Sequence, residues 1–153
     1  MSNSQKEAKY SYRPVIGIAL ASLLVCGLLY PLLITGLAQV LFPYQANGEI
    51  VVHNGQQVGS YLISQNFTLP QFFHPRNDSA SGVDPDITMQ DAYSQIPRIQ
   101  RALNSTSITN ETLTQLVNEN AEGTYWIFGT PYVNVLRLNL ALINQYPDKY
   151  AVK

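Results

Sequence analysis

The sequence predicts an α+β protein built as one N-terminal transmembrane helix followed by a small extracytoplasmic α+β domain. Three observations predict it. Residues 15–42 form a run of 28 residues without a charge, longer than the ~20 residues a helix needs to cross hydrocarbon. Lys6, Lys9 and Arg13 precede that run, opposed only by Glu7, and no Lys or Arg follows until Arg76. Residues 43–153 then combine a hairpin signal with several segments of helical period. The expected divisions are a cytoplasmic tail at 1–14, a transmembrane helix at 15–42 and an extracytoplasmic domain at 43–153.

The apolar run is about twice the length of a signal-peptide core, and no convincing small-x-small cleavage site follows it, so it reads as an uncleaved anchor rather than as a signal peptide. Its excess length implies tilt. Cytoplasmic flanks collect Lys and Arg, which sets the N-terminus inside and the C-terminal domain outside, in a single-pass protein of the cell membrane. Pro31 lies within the span. Its ring excludes a hydrogen bond to the carbonyl of Gly27 and is expected to bend the helix. Gly17 and Ala21, four residues apart, share a helix face; with Gly27 and Pro31 they form the candidate face for packing against another membrane helix. Small residues are also common in spans for no special reason, and both readings stand at this stage.

Beyond the span, residues 43–47 read as a helix break and linker. Residues 49–53 are rich in β-branched side chains, Asn54-Gly55 is a type I′ turn pair, and residues 57–63 read as the return strand. Residues 65–86 carry Pro70, Pro75 and Pro85 among Asn, Asp and Ser, and read as loop with a short extended piece at 71–74. Thr88-Met-Gln-Asp91 resembles a capping box with a shorter acid. The helix after it places Met89, Ala92, Tyr93, Ile96, Ile99 and Leu103 on its apolar side, with Pro97 expected to kink or divide it. Thr109 caps a second helix whose Leu113, Leu116 and Val117 face inward. Residues 124–128 read as a strand, and residues 131–146 as a short extended start followed by a helix from about 135 to 145.

Composition narrows function. The 111 residues after the span suffice for one modest core, which excludes a kinase-sized or motor-sized catalytic domain. A net charge of −1 leaves no basic footprint for nucleic acid. The outer part has six basic and nine acidic residues, net −3. The single cysteine, Cys26, lies in the span, so neither an internal disulfide nor a CxxC zinc site is available. His53 and His74 are the only histidines, too few for an assignable metal site. His74, Asp78 and Ser79 supply the residue types of a hydrolase triad, but without a G-x-S-x-G elbow to present the serine. There is no Walker-type phosphate loop. Asp84-Pro85-Asp86 reads as turn chemistry before a helix rather than as a cation site. Arg76, Arg98, Arg101 and Arg137 stand out because charges are few. Four Asn-x-Ser/Thr sequons, at Asn66, Asn77, Asn104 and Asn110, suit an external domain.

Several segments, taken in order, are similar to one family. They are Gly59-Ser-Tyr-Leu-Ile-Ser-Gln65-Asn-Phe67, then Phe73-His-Pro-Arg76, then Ser81-Gly82-Val-Asp84-Pro85-Asp-Ile87. Gln95 and Arg98 follow along one helix, and Val133-Asn134-Val-Leu-Arg-Leu-Asn139-Leu-Ala-Leu142 completes the set. Behind a single N-terminal span, this order resembles the KdpC subunit of the Kdp potassium-transporting ATPase. The resemblance departs in two ways: the family's Arg-Pro-Ser-Ala order is altered here to His74-Pro-Arg-Asn-Asp-Ser-Ala80, and one stretch is shorter. Typical members have a longer Gly/Ser/Asn-rich stretch and an additional helical piece where this chain has only Asn77 to Ala80.

What the resemblance implies is a non-catalytic subunit without a cofactor of its own. Its partners would be a channel-like potassium-binding subunit, a P-type pump subunit that hydrolyses ATP, and membrane lipid. ATP with Mg2+, and K+, belong to the complex. The family is described as stabilising the assembly and raising the pump subunit's ATP affinity, as a catalytic chaperone. With only residues 1–14 expected in the cytoplasm, such an effect would travel through the membrane assembly. The competing reading is a free-standing, membrane-anchored extracellular binding domain. A type IV pilin-like subunit would need an acid early in its apolar helix, and this span has none.

Overall fold

The computed structural model describes residues 12–76, 78, 80–105, 107–123 and 129–150. The chain divides into two compact units, residues 1–47 and 48–153.

The first unit is helical over Tyr12–Leu41, long and apolar enough to cross a membrane. It consists of α1 (Tyr12–Leu24), a π-helical turn (Val25–Leu29) and α2 (Tyr30–Leu41). The π turn is the structural response to Pro31. The Tyr30 N–H bonds to the carbonyl of Val25, five residues back, so the turn before the proline is widened. Phe42, at φ −138° and ψ 57°, ends the helix. Residues 43–46, read from sequence as a linker, instead form a further helical turn, α3 (Pro43–Ala46), which proline suits as a first residue. Asn47 closes this end by donating from Nδ2 to the Pro43 carbonyl at 2.6 Å and to Gln39 Oε1 at 3.2 Å.

The second unit is α+β, as expected. β1 (Ile50–His53) and β2 (Gln56–Ser60) form an antiparallel hairpin. Asn54 and Gly55 both have positive φ, 50° and 78°, as the type I′ turn demands. β2 is shorter than the predicted 57–63 because a bulge shifts the register between Val51 and Val52 and the chain then turns at Tyr61. A second ladder was not anticipated. β3 (Asp86–Thr88) pairs with β4 (Tyr132–Asn134) antiparallel, Ile87 opposite Val133. Three residues are too few to show alternation, which hid β3 in the sequence. The extended piece expected at 71–74 is a turn and irregular backbone instead.

Among the described residues, four helices complete the unit: α4 (Met89–Leu103), α5 (Asn110–Glu119), α6 (Val135–Gln145) and α7 (Pro147–Tyr150). Thr88 Oγ1 caps α4 by accepting from the Asp91 N–H at 3.1 Å. Pro97 does not divide α4, which runs through it unbroken. Thr109 and Thr112 form a reciprocal capping box on α5. α6 has the predicted bounds, and Asn134 caps it. Ala92, Ile96 and Ile99 from α4, Leu113, Leu116 and Val117 from α5, and Val135, Leu138 and Leu142 from α6 meet Phe73, Ile87, Ile108 and Val133 in one core. The strand expected at 124–128 lies outside the described residues.

Candidate functional site

Three of the motif residues, Gln95, Arg98 and Asn139, converge on one loop. Residues 69–74 connect the hairpin side of the unit to the core, and four side chains from three helices bind their backbone. Asn139 of α6, fully buried, accepts from the Phe73 N–H at 2.8 Å and donates to the Phe73 carbonyl at 2.9 Å. Gln95 of α4 does the same for the next residue, accepting from the His74 N–H at 2.8 Å and donating to its carbonyl at 3.1 Å. Arg98, one turn further along α4, forks to the carbonyls of Pro70 (2.7 Å) and Phe72 (3.0 Å) and also donates to Gln95 Oε1 (2.8 Å). The Tyr150 hydroxyl of α7 donates to the Gln71 carbonyl at 2.9 Å.

A loop that dives into a core cannot satisfy its own peptide groups. Side-chain amides replace the missing ladder, because Asn and Gln present a donor and an acceptor side by side. His74 Nε2 lies 2.9 Å from the Leu69 carbonyl and 3.2 Å from Arg98 Nη1. The carbonyl only accepts, so we assign the ring proton to Nε2, directed at Leu69; the guanidinium is then a close neighbour rather than a partner. Burial pulls the Arg98 guanidinium below its ordinary value and pushes the Tyr150 phenol up. Phe73 fills the core beneath the clamp, while Phe67 stacks obliquely on Phe72, ring centres 5.4 Å apart.

A second junction gathers Asp86, Asn134, Tyr61 and Arg137. Asn134 Nδ2 donates to the Tyr61 carbonyl (2.8 Å) and to Asp86 Oδ1 (2.9 Å), while its Oδ1 accepts the Arg137 N–H (3.2 Å). One amide thus ties the end of the hairpin to β3 and caps α6. The Arg137 guanidinium sits 4.8 Å from the centre of the Tyr61 ring and pairs with Glu122. Desolvation raises the Asp86 carboxyl above its usual range, against the hydrogen bond from Asn134.

The other predicted positions lie apart from the clamp. Gly59 is packed so closely on Gln65 that a Cβ there would come within 2.7 Å of Gln65 Cδ. Ser60 Oγ donates to the Gly48 carbonyl at 2.6 Å, and Gln65 Nε2 to the Ile63 carbonyl at 2.9 Å. Ser81 and Gly82 (φ 67°) form an exposed turn. Asp84 Oδ1 accepts from the Asp86 N–H at 3.1 Å, and the Pro85 carbonyl from the Val135 N–H at 3.0 Å, the turn chemistry expected of Asp84-Pro85-Asp86. Arg76 does not join the clamp. It is exposed and paired with Asp78, which raises the guanidinium and lowers the carboxyl. His74 and Asp78 therefore serve different partners, and Ser79 lies outside the described residues. Among the described residues, no three His, Cys, Asp or Glu side chains gather into a metal-binding group.

In the helical unit, Gly17, Ala21, Gly27 and Pro31 are all exposed. A Cβ at Gly17 would meet nothing within 4 Å, and one at Gly27 only Leu23 Cδ1 at 3.7 Å. Nothing within this helix requires glycine at either place, so the room these residues leave faces outward.

Sequence reasoning grouped Gln95, Arg98, Asn134 and Asn139 by motif without giving them a task. A signal was available. Asn139 stands four residues after Val135 and three before Leu142, on the buried stripe of α6, and a polar residue there needs an internal partner. Tyr150 and Tyr61 had no comparable signal.

The comparisons with known proteins bear on the whole chain. The family model for KdpC, the K+-transporting ATPase c chain, matches residues 12–78 and 77–144. The chain is 33% identical over 182 residues to a potassium-transporting ATPase KdpC subunit of Bacillus cereus strain Q1, covering 84% of this chain and 93% of that one. The same subunit of B. cereus strain G9842 gives the same identity and coverage, and that of Bacillus anthracis strain CDC 684 / NRRL 3495 is 32% identical with the same coverage.

Proposed function

We propose that this chain, which belongs to the KdpC family, is a non-catalytic accessory subunit of an ATP-driven potassium-uptake complex. The single observation that carries this reading is coverage. The resemblance runs from residue 12 in the apolar helix to residue 144 in α6 and takes in Gln95, Arg98 and Asn139 of the clamp, so the anchor and most of the folded domain are shared together.

In this reading the apolar helix crosses the cell membrane with the N-terminus in the cytoplasm and packs on the channel-like subunit through Gly17, Ala21, Gly27 and Pro31. The α+β domain stands outside. The clamp supports the role by fixing the loop through its backbone, so that the domain presents one rigid surface to its partners. Rigid surfaces lose less freedom on binding and hold their partners more tightly. ATP with Mg2+ binds the pump subunit, K+ binds the channel-like subunit, and this chain raises ATP affinity through the assembly. Coupling of that kind requires different contacts in the pump's two states. The test is the ATP dependence of K+-stimulated hydrolysis by complexes purified with and without this chain. The reading expects a higher KM for ATP without it. An unchanged KM in an intact complex would remove the coupling role.

A further inference from the structure

We infer that Asn66 is a glycan attachment site and that Asn110, the other sequon described in full, is not. The inference rests on the outside placement of the α+β domain proposed above. Eleven Asn and fifteen Ser or Thr in residues 43–153 would form the Asn-x-Ser/Thr pattern about once or twice by chance, and they form it four times. The sequons at Asn77 and Asn104 include residues outside the described ones.

Asn66 is the apex of a three-residue turn, closed by the Phe67 N–H on the Gln65 carbonyl at 2.9 Å. Asn66 and Thr68 are both exposed, and among the described residues neither the amide nor the hydroxyl has a hydrogen-bond partner. Asn110 is exposed too, but it opens α5, and Thr112 lies roughly 200° from it around the helix axis. The Thr112 hydroxyl is also engaged on both sides. It accepts from the Thr109 N–H at 3.0 Å and donates to the Thr109 carbonyl at 2.9 Å. The motif requires a hydroxyl two residues past the asparagine, so a transferase has to reach that group. At Thr68 it is free, whereas at Thr112 the capping box would have to open.

The surroundings of Asn66 give a sugar chain a task. Leu62, Ile63, Leu69 and Val83 are each more than half exposed, and the Ser64 N–H holds Val83 beside the segment through its carbonyl at 2.9 Å. Residues 50–75 contain no Lys, Arg, Asp or Glu, so no charge offsets these apolar side chains. A glycan is bulky and solubilising and would shield them. Asn66 also lines an open polar hollow of about 230 Å3 with Ser64, Pro75, Arg76 and Gly82, a surface suited to sugar hydroxyls. The co-substrate is an oligosaccharide carried on a lipid phosphate. Asn66 Nδ2 bonds to its anomeric carbon as the bond from that carbon to the phosphate oxygen breaks. The electron pair leaves with the lipid phosphate, the Nδ2 proton passes to a base of the transferase, and nothing is oxidised or reduced.

The test maps the peptides carrying Asn66 and Asn110 by mass spectrometry, on the full chain purified from its native membranes. Asn66 is expected to carry a sugar mass and Asn110 to be bare. Thr68→Val is expected to lose that mass, while Thr68→Ser, which keeps the hydroxyl, retains it. In parallel, intact cells are treated with a membrane-impermeant amine reagent, which is expected to reach the exposed Lys149 and to spare Lys6 and Lys9. A bare Asn66 on a chain labelled at Lys149 overturns the inference and leaves the proposed function standing. Sugar on Asn110 to the same extent as on Asn66 overturns the selection by fold. Labelling at Lys6 and Lys9 with Lys149 spared strikes the outside placement itself, and the inference falls with it.

Discussion

Asn139, fully buried on α6, hydrogen-bonds both the N–H and the carbonyl of Phe73, a residue 66 positions earlier that is itself fully buried. The amide does for one loop residue what a neighbouring strand does in a sheet, and it joins the two halves of the folded unit. Asn139→Ala leaves two buried peptide groups without partners, each costing about 1–3 kcal/mol. The expected loss is about 2–5 kcal/mol, read as a fall in Tm of roughly 10 °C or more. Asn144→Ala, on the exposed side of the same helix, is expected to stay within about 0.5 kcal/mol of the parent.

Gly59 and Gln65 make a second interdependent pair, since a Cβ at 59 would overlap the Gln65 side chain. Gly59→Ala is expected to destabilise by about 1–3 kcal/mol, from the positive φ of 153° together with the overlap on Gln65. Adding Gln65→Ala removes the obstructing atoms and recovers part of that loss. A double-mutant cycle in chemical denaturation is expected to show coupling above about 0.5 kcal/mol; strict additivity would refute the pairing.

How much of this was legible in the sequence depended on what each residue answers to. The hairpin turn at Asn54-Gly55, the caps at Thr88 and Thr109 and the bounds of α6 follow from local rules, and they were readable. β3 was not, because three residues acquire strand character only by meeting β4. Pro97 pointed to a kink or a division, and the division does not occur: α4 continues through it with Ala92, Ile96 and Ile99 buried. The clamp was half legible. Gln95 and Arg98 stood out as a pair on one helix, but beyond each other they bind backbone N–H and carbonyl groups of the loop, and backbone groups have no residue type to read.

Acidity should act on the second junction in a defined direction. Burial raises the Asp86 carboxyl, so the folded state holds that proton more tightly than the unfolded chain. Asp86 therefore favours folding below the ordinary Asp pKa, and that contribution is lost as pH rises through its folded value. Asp86→Asn keeps an acceptor for Asn134 without the charge. The variant is expected to be more stable than the parent at neutral pH, by an amount that solvent screening keeps small. It should match the parent near pH 3.5, as measured by denaturation across that range.

The outward room at Gly17 and Ala21 gives a test within the membrane helix. If these positions meet a partner helix, Gly17→Leu with Ala21→Leu inserts bulk at the contact. Recovery of the channel-like subunit with this chain is then expected to fall severalfold while the folded domain keeps its Tm. Unchanged recovery would reject this face and leave small residues in the span without a packing role.

Membership of a potassium-uptake complex is read from what leaves the membrane together with this chain. Native membranes are solubilised gently, the full chain is captured, and the proteins that accompany it are identified and quantified by mass spectrometry. A P-type ATPase and a multi-span potassium-binding subunit are expected in a fixed ratio to this chain. Recovery of the chain alone, from membranes that contain both proteins, would contradict that membership.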